Sequence, residues 1–123
     1  MFQKILLVIL SFMLFSCTNG ARPKADGANR DITIYYIHRD HCEGCSYMDK
    51  IIKDKEIEAL LSSGFKLVVV DVNNQEKLPS NLAQTRTTPT FYFVDSSNRK
   101  VAKDEHVLNQ EQFKQKLLEL KRL

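Results

Sequence analysis

The residues best suited to chemistry are two cysteines three positions apart, in the run Cys42-Glu43-Gly44-Cys45. Two thiols at this spacing can perform thiol–disulfide exchange, in which one thiolate attacks a disulfide and the second thiol resolves the mixed disulfide that forms. The run lies between a predicted strand and a predicted helix. The free N–H groups and the partial positive charge of a helix N-terminus favour the thiolate of Cys42. The sequence therefore predicts Cys42 as the nucleophile and Cys45 as the resolving cysteine.

The same region allows two other functions. The side chains of His38, His41, Cys42 and Cys45 are all potential ligands for zinc or copper(I). Structural zinc sites usually draw their ligands from two separated pairs, however, and these four side chains are crowded into one junction. The other alternative is a non-catalytic binding module in which Cys42 and Cys45 form a structural disulfide. The loop that this disulfide closes is so short that it removes little entropy from the unfolded chain, so the disulfide would add little to the stability of the fold.

The elements that must position the cysteines follow from the apolar patterning. Strands are predicted at 32–37, 65–72, 90–95 and 99–103, and helices from 42, over 55–63, around 78–84 and from 110. Asp54 and Asn109 are predicted helix caps, the latter with Gln112 three residues on. The first two strands should pair in parallel across a helical crossover. The predicted fold class is therefore α/β, with the order β-α-β, a connector, then β-β-α.

The chain resembles the thioredoxin superfamily, and within it the small exported thioredoxin-related proteins. The resemblance is carried by the segments 35–45 and 65–72 and by Thr88-Pro89-Thr90-Phe91. It implies a minimal thioredoxin fold over 31–123, with a mixed four-stranded sheet, a redox-active Cys42–Cys45 disulfide, and neither a dissociable cofactor nor a metal. It also implies that Pro89 is cis and faces the cysteines, so that the backbone of Thr88 can pair with an extended substrate. The alternative is a trans proline that opens a strand.

Four positions depart from the thioredoxin pattern. His41 stands where thioredoxins usually have tryptophan, and Glu43-Gly44 replaces their Gly-Pro. Tyr36 stands where they have a buried aspartate that assists proton transfer. We expect His41 to tune Cys42, favouring its thiolate when protonated, whereas Glu43 opposes the thiolate. By analogy with the small exported relatives, the predicted reaction is disulfide reduction.

The first 30 residues are expected to precede the folded domain. Residues 1–16 combine a lysine, a short apolar run and a small residue, which is typical of a secretory signal. The run is shorter than the roughly 20 apolar residues of a transmembrane helix. Leu14-Phe15-Ser16-Cys17 resembles a bacterial lipobox, which implies that Cys17 is lipidated; an ordinary cleaved signal is the alternative. Residues 17–30 are predicted to be a flexible tether.

Composition and compartment narrow the expected partners. The formal net charge of +3, from 18 basic and 15 acidic residues, is too small and too scattered to indicate nucleic-acid binding. The predicted location is the periplasmic side of a bacterial membrane, to which the lipid anchors a monomer. Expected partners are disulfide-bearing exported proteins and the membrane. A reductase would also need a membrane redox partner, because the compartment is oxidising.

Overall fold

The computed structural model describes residues 31–123, which form four strands and three helices. In chain order they are β1 (Ile32–His38), α1 (Glu43–Ile52), α2 (Lys55–Leu61), β2 (Phe65–Asp71), β3 (Thr90–Val94), β4 (Lys100–Asp104) and α3 (Gln110–Lys121). The predicted α/β class and the β-α-β, β-β-α order are confirmed.

The N-terminal predictions fall outside this range. The signal at 1–16, the lipidation of Cys17 and the tether at 17–30 lie outside the described residues and remain predictions. Between residues 31 and 123, none of the helices combines the length and the apolar character needed to cross a membrane.

The central position of β1 determines where the functional residues meet. The strand order is β2-β1-β3-β4. β1 pairs with β2 in parallel along its full length, as predicted, and with β3 in antiparallel fashion. In the antiparallel pair Ile37 lies opposite Thr90. The end of β1, which leads toward Cys42, therefore lies beside the start of β3, which Pro89 directly precedes.

Each helix begins at a side chain that satisfies free backbone N–H groups. Cys42 caps α1, and its Sγ accepts a hydrogen bond from the backbone N–H of Cys45 at 3.1 Å. Asp54 caps α2, and Asn109 forms a reciprocal capping box with Gln112 at the start of α3, which confirms both predicted caps. The predicted start of α1 was one residue early, because Cys42 keeps an extended backbone conformation and acts as the cap.

Two apolar clusters fill the two faces of the sheet, because successive side chains of a strand point to opposite faces. The larger cluster joins the sheet to all three helices, and its buried members are Ile32, Ile34, Tyr36, Met48, Ile51, Ile57, Phe91, Phe93, Phe113, Leu117 and Leu120. The smaller cluster joins the opposite face to the connector after β2, through Ile37, Val70, Val72, Leu78, Leu82, Tyr92 and Val94. The buried side chains of Met48 and Ile51 fix α1, and with it the cysteine pair, against the sheet.

The helix predicted around 78–84 was wrong, because this segment consists of turns. Leu78 and Leu82 are buried at helical spacing, but their N–H groups bond three residues back, to the carbonyls of Gln75 and Pro79. The side-chain amide of Gln75 also donates to the carbonyl of Thr85 at 2.6 Å and accepts from its N–H at 3.1 Å. The side chain of Gln75 thus ties the chain before this segment to the residue directly after it.

Candidate functional site

The two cysteines form a disulfide at the N-terminus of α1 and differ in exposure. Cys45 is completely buried, with 0% of its surface exposed, whereas Cys42 is partly exposed. An incoming disulfide can therefore approach the sulfur of Cys42 but not that of Cys45. This asymmetry fits the predicted assignment of nucleophile and resolving cysteine.

The segment before β3 faces the sulfur of Cys42. The Thr88–Pro89 peptide bond is cis. The carbonyl oxygen of Thr88 lies 3.8 Å from Sγ of Cys42, and the Thr88 hydroxyl donates a hydrogen bond to that sulfur at 3.5 Å. The hydroxyl of Thr90 donates to the carbonyl of Thr87 at 2.7 Å and closes the turn. The structure thus brings Thr88 and Pro89 together with Cys42, as the resemblance implied.

Gly44 is where α1 meets two other segments most closely. A Cβ atom added at this position would lie 2.8 Å from Cγ2 of Val107 and 3.0 Å from Cδ of Pro89. Val107, in the loop between β4 and α3, remains 44% exposed. Sequence reasoning missed Val107, because only the folded chain brings a residue so distant in sequence to the cysteine loop. No local pattern in the sequence marks it.

An open groove of about 460 Å³ lies on the helix side of Cys42. Its lining comprises His41, Cys42, Glu43, Ser46, Tyr47 and Lys50. His41 is exposed and adopts a left-handed backbone conformation with φ of 57° in the turn between β1 and α1. Tyr47 is 45% exposed. The groove therefore combines the aromatic ring of Tyr47, the ammonium group of Lys50 and the carboxylate of Glu43 in one lining with His41 and Cys42.

A hydrogen-bonded cluster behind Cys45 was not predicted. The hydroxyl of Tyr36 lies 3.0 Å from the carbonyl oxygen of Cys45 and 3.0 Å from Oδ1 of Asp49. Burial, and then the charge of Asp49 and its hydrogen bond, raise the pKa of Tyr36 far above its ordinary value, so the phenol keeps its proton. Nε2 of His38 lies 3.3 Å from the other carboxylate oxygen, Oδ2. Tyr36, Asp49 and His38 are hereafter the β1–α1 cluster.

His38 lies one residue beyond the strand predicted at 32–37, yet the structure places it within β1. It is the last residue of β1, paired in register with Asp71, and its side chain is 28% exposed. The strand continues one residue beyond its apolar run, because the pairing with β2 extends that far.

The sequence did contain a sign that Asp49 lies near Cys45. Asp49 is four residues after Cys45, and residues at that spacing lie on the same side of a helix.

The four potential metal ligands do not converge. Among residues 31–123, no group of three or more His, Cys, Asp and Glu side chains is arranged to hold a metal ion. His38 contacts Asp49, and the two sulfurs are joined to each other. This arrangement gives no support to the zinc or copper alternative.

Comparison with known proteins gives matches in structure only. The sequence matches no protein-family model and no curated protein. The structure is similar to a thioredoxin from Thermus thermophilus, with 22% identity, a TM-score of 0.58 and 73% of each chain covered. It is similar to a disulphide isomerase from Xylella fastidiosa Temecula1, with 17% identity, a TM-score of 0.59, and 73% of this chain and 78% of the other covered.

A third solved structure gives the same result. The germline-specific thioredoxin Deadhead from Drosophila melanogaster is 21% identical with a TM-score of 0.60, over 78% of this chain and 87% of the other. These likenesses, together with the mixed four-stranded sheet and its three helices, identify the fold: residues 31–123 form an α/β domain of the thioredoxin-like fold.

Proposed function

We propose that this protein is a thiol–disulfide oxidoreductase that acts through Cys42 and Cys45. The observation that carries the proposal is a cysteine pair at a helix N-terminus with one partly exposed sulfur and one buried sulfur, facing Thr88 and Pro89. The fold supports this chemistry in general terms, because the structural neighbours include thioredoxins and a disulphide isomerase.

The reducing reaction has two steps. The thiolate of Cys42 attacks one sulfur of the substrate disulfide, which forms a mixed disulfide and releases the first substrate thiolate. Cys45 then loses its proton and attacks Sγ of Cys42, which forms the Cys42–Cys45 disulfide and releases the second substrate thiolate. The enzyme dithiol gives up two electrons, the substrate disulfide gains them, and two protons complete the substrate thiols.

Two hydrogen-bond donors support the first step. The backbone N–H of Cys45, at 3.1 Å, and the hydroxyl of Thr88, at 3.5 Å, both point to Sγ of Cys42. Hydrogen bonds to a charged group favour its charged form, so these donors stabilise a thiolate at Cys42. The partial positive charge at the start of α1 acts in the same direction.

The substrate surface surrounds the exposed sulfur. An extended peptide would pair with the backbone of Thr88. Two exposed apolar side chains lie near the cysteine loop: Val107, close to Gly44, and Tyr47, in the groove beside Cys42. We propose disulfide-bearing exported proteins as the substrate class, because the open surface around Cys42 combines these apolar side chains with polar ones and can accept an extended chain.

The proposed setting rests on the N-terminal sequence alone. The lipobox-like segment ending at Cys17 supports attachment to a bacterial membrane on its periplasmic side. In that oxidising compartment a reductase needs a membrane redox partner to restore its dithiol. We propose that the protein is a monomer. It needs no dissociable cofactor, because the dithiol itself carries the electrons.

The test follows the fate of the two sulfurs. Cys42→Ser is expected to abolish reduction of a protein disulfide such as those of insulin, and Cys45→Ser is expected to accumulate a mixed disulfide, detected as a covalent adduct by mass spectrometry. Cys17→Ser, which removes only the proposed anchor, is the matched control and should reduce insulin at the normal rate in solution. Full activity of Cys42→Ser would refute the mechanism, and a wild-type protein that reduces no disulfide would instead support a structural disulfide.

The reduction potential of the pair decides the direction. A reduction potential of about −270 mV, as in thioredoxin, would support the proposed reductase. A potential of about −120 mV would instead support an enzyme that oxidises substrate thiols. Equilibration with glutathione buffers, followed by alkylation of the free thiols, measures it.

A further inference from the structure

Resolution of the mixed disulfide requires a proton to leave a buried site. Cys45 is 0% exposed, so water has no direct access to its sulfur in this conformation. The thiol does not attack until it becomes a thiolate. A buried thiol therefore needs a nearby group of the protein that takes its proton and returns it when the reaction runs backward.

Asp49 is placed to be that group. α1 contains two acidic residues, of which Glu43 is exposed and Asp49 is partly buried. Residues four apart are neighbours on a helix surface, and helical side chains lean toward the N-terminus, so the carboxylate of Asp49 leans toward the turn that holds Cys45. The hydroxyl of Tyr36 connects the two residues, with 3.0 Å to the carbonyl oxygen of Cys45 and 3.0 Å to Oδ1 of Asp49.

The side chains that contact Asp49 hold its carboxylate between the turn of Cys45 and solvent. Tyr36 and His38 are the two ionisable side chains of residues 31–123 that hydrogen-bond to its carboxylate. His38 is 28% exposed, so it can exchange protons with water. Two other charged residues are neighbours by position: Lys53, four residues after Asp49 at the end of α1, and Asp71, which pairs with His38 across β1 and β2; both are exposed. The side chain of Asp49 is itself 38% exposed, so the carboxylate leans toward the cysteine turn and is also open to solvent.

We infer that Asp49 accepts the proton of Cys45 during resolution, and that Tyr36 and His38 are positioning residues that hold its carboxylate for this transfer. This inference rests on the proposed function and deepens it. As the proton moves from Sγ of Cys45 to the carboxylate, the freed sulfur electron pair attacks Sγ of Cys42, and the bond from Cys42 to the substrate sulfur breaks. The departing substrate thiolate takes a proton from solvent, and Asp49, whose side chain is 38% exposed, releases its own to solvent.

A small aromatic disulfide separates the two steps. Reduced protein mixed with 5,5′-dithiobis(2-nitrobenzoate) releases one coloured thiolate when Cys42 attacks and a second when Cys45 resolves. In Asp49→Asn the first phase is expected to keep its rate, while the second slows by about tenfold or more, since a positioned general base accelerates proton transfer by roughly 10²–10⁴-fold. The pH profile of the second phase should differ between the wild type and Asp49→Asn, because the variant lacks the proton acceptor.

Two further variants distinguish a proton-transfer role from a structural one. Tyr36→Phe removes only the hydroxyl and should slow the second phase with the first unchanged. Glu58→Gln removes one negative charge from an exposed site on α2 and should change neither phase. A normal second phase with an unchanged pH profile in Asp49→Asn would overturn the inference while leaving the proposed function intact. Absence of a second phase in the wild type would contradict both.

Discussion

Substitution of Gly44 by alanine tests the close packing of the cysteine loop against the rest of the fold. The new methyl group would lie 2.8 Å from Cγ2 of Val107 and 3.0 Å from Cδ of Pro89, and both distances are shorter than ordinary van der Waals contact. Val107 is exposed and can rotate or shift, but the ring of Pro89 is buried. We therefore expect the strain to fall mainly on Val107 and on the spacing between the cysteine loop and Pro89.

The magnitude follows from two opposing effects. Alanine stabilises a helix by about 1 kcal/mol relative to glycine. Insertion of a methyl group into a packed contact costs about 1–3 kcal/mol. Gly44→Ala should therefore lower the free energy of unfolding by between about 0 and 2 kcal/mol. Val107→Ala removes the atom at 2.8 Å, so Gly44→Ala should be less harmful in that background, or even stabilising.

A double-mutant cycle measures this coupling. Urea unfolding of the wild type, the two single variants and the double variant, all with the disulfide formed, gives the four free energies. We expect a coupling energy of about 1 kcal/mol, with the double variant more stable than the sum of the single effects predicts. Effects that add within about 0.5 kcal/mol would show that Val107 does not contact the cysteine loop in solution. The reasoning about this side of the site would then be refuted.

Two other predictions concern the core and one buried carboxylate. Phe91 is completely buried and stacks on Tyr36 with 4.7 Å between ring centroids, so Phe91→Ala should lower the free energy of unfolding by about 3–5 kcal/mol, measured in urea, and a loss below about 1 kcal/mol would contradict the described core. The pKa of Asp95 is lowered, most strongly by the hydrogen bond from the backbone N–H of Arg99. The backbone N–H of Ser97 and the charge of Arg99 lower it further, and burial opposes them with an effect smaller than that of the Arg99 hydrogen bond. Because its pKa is lower in the folded state, the ionised carboxylate stabilises the fold at any pH above its unfolded-state pKa of about 3.9. This stabilisation disappears as the pH falls through the folded-state pKa. Asp95→Asn should therefore be less stable than the wild type at neutral pH, with a difference that narrows under acid, whereas a difference that stays constant as the pH falls below the folded value would contradict the assignment.

The parts of the fold that sequence reasoning predicted are those determined by local patterns. The β-branched and aromatic runs predicted β1, β2 and β3, and the Asn109–Gln112 pair predicted the start of α3. These signals lie within a few residues of the elements they specify. A reader of the sequence therefore needs no knowledge of the tertiary structure to place them.

The helix predicted around 78–84 was wrong for the opposite reason. The spacing of Leu78 and Leu82 matches a helix, and both side chains are buried as a helix would bury them. The side-chain amide of Gln75 nevertheless bonds the carbonyl and the N–H of Thr85, ten residues further along the chain. Apolar periodicity does not report such a contact, and the segment folds into turns instead.

The candidate site divides in the same way. Cys42 and Cys45 were found from their spacing, and Thr88 and Pro89 from the resemblance, because each is marked by a short motif. Val107 carries no such mark. The β1–α1 cluster was missed because its contacts join a strand to a helix, and they depend on how α1 lies across the sheet.

The capping of α1 by Cys42 has a consequence for how stability and reactivity are related. The sulfur that we propose reacts with substrate is also the acceptor for the backbone N–H of Cys45 in the first turn of the helix. A change that strengthens this interaction in the thiolate form more than in the disulfide form stabilises the reduced domain, and by thermodynamic linkage makes the pair a stronger oxidant. Each 1.4 kcal/mol of such differential stabilisation corresponds to about 30 mV of reduction potential. Substitutions in the first turn of one helix can therefore adjust the electron affinity of this domain without altering either cysteine.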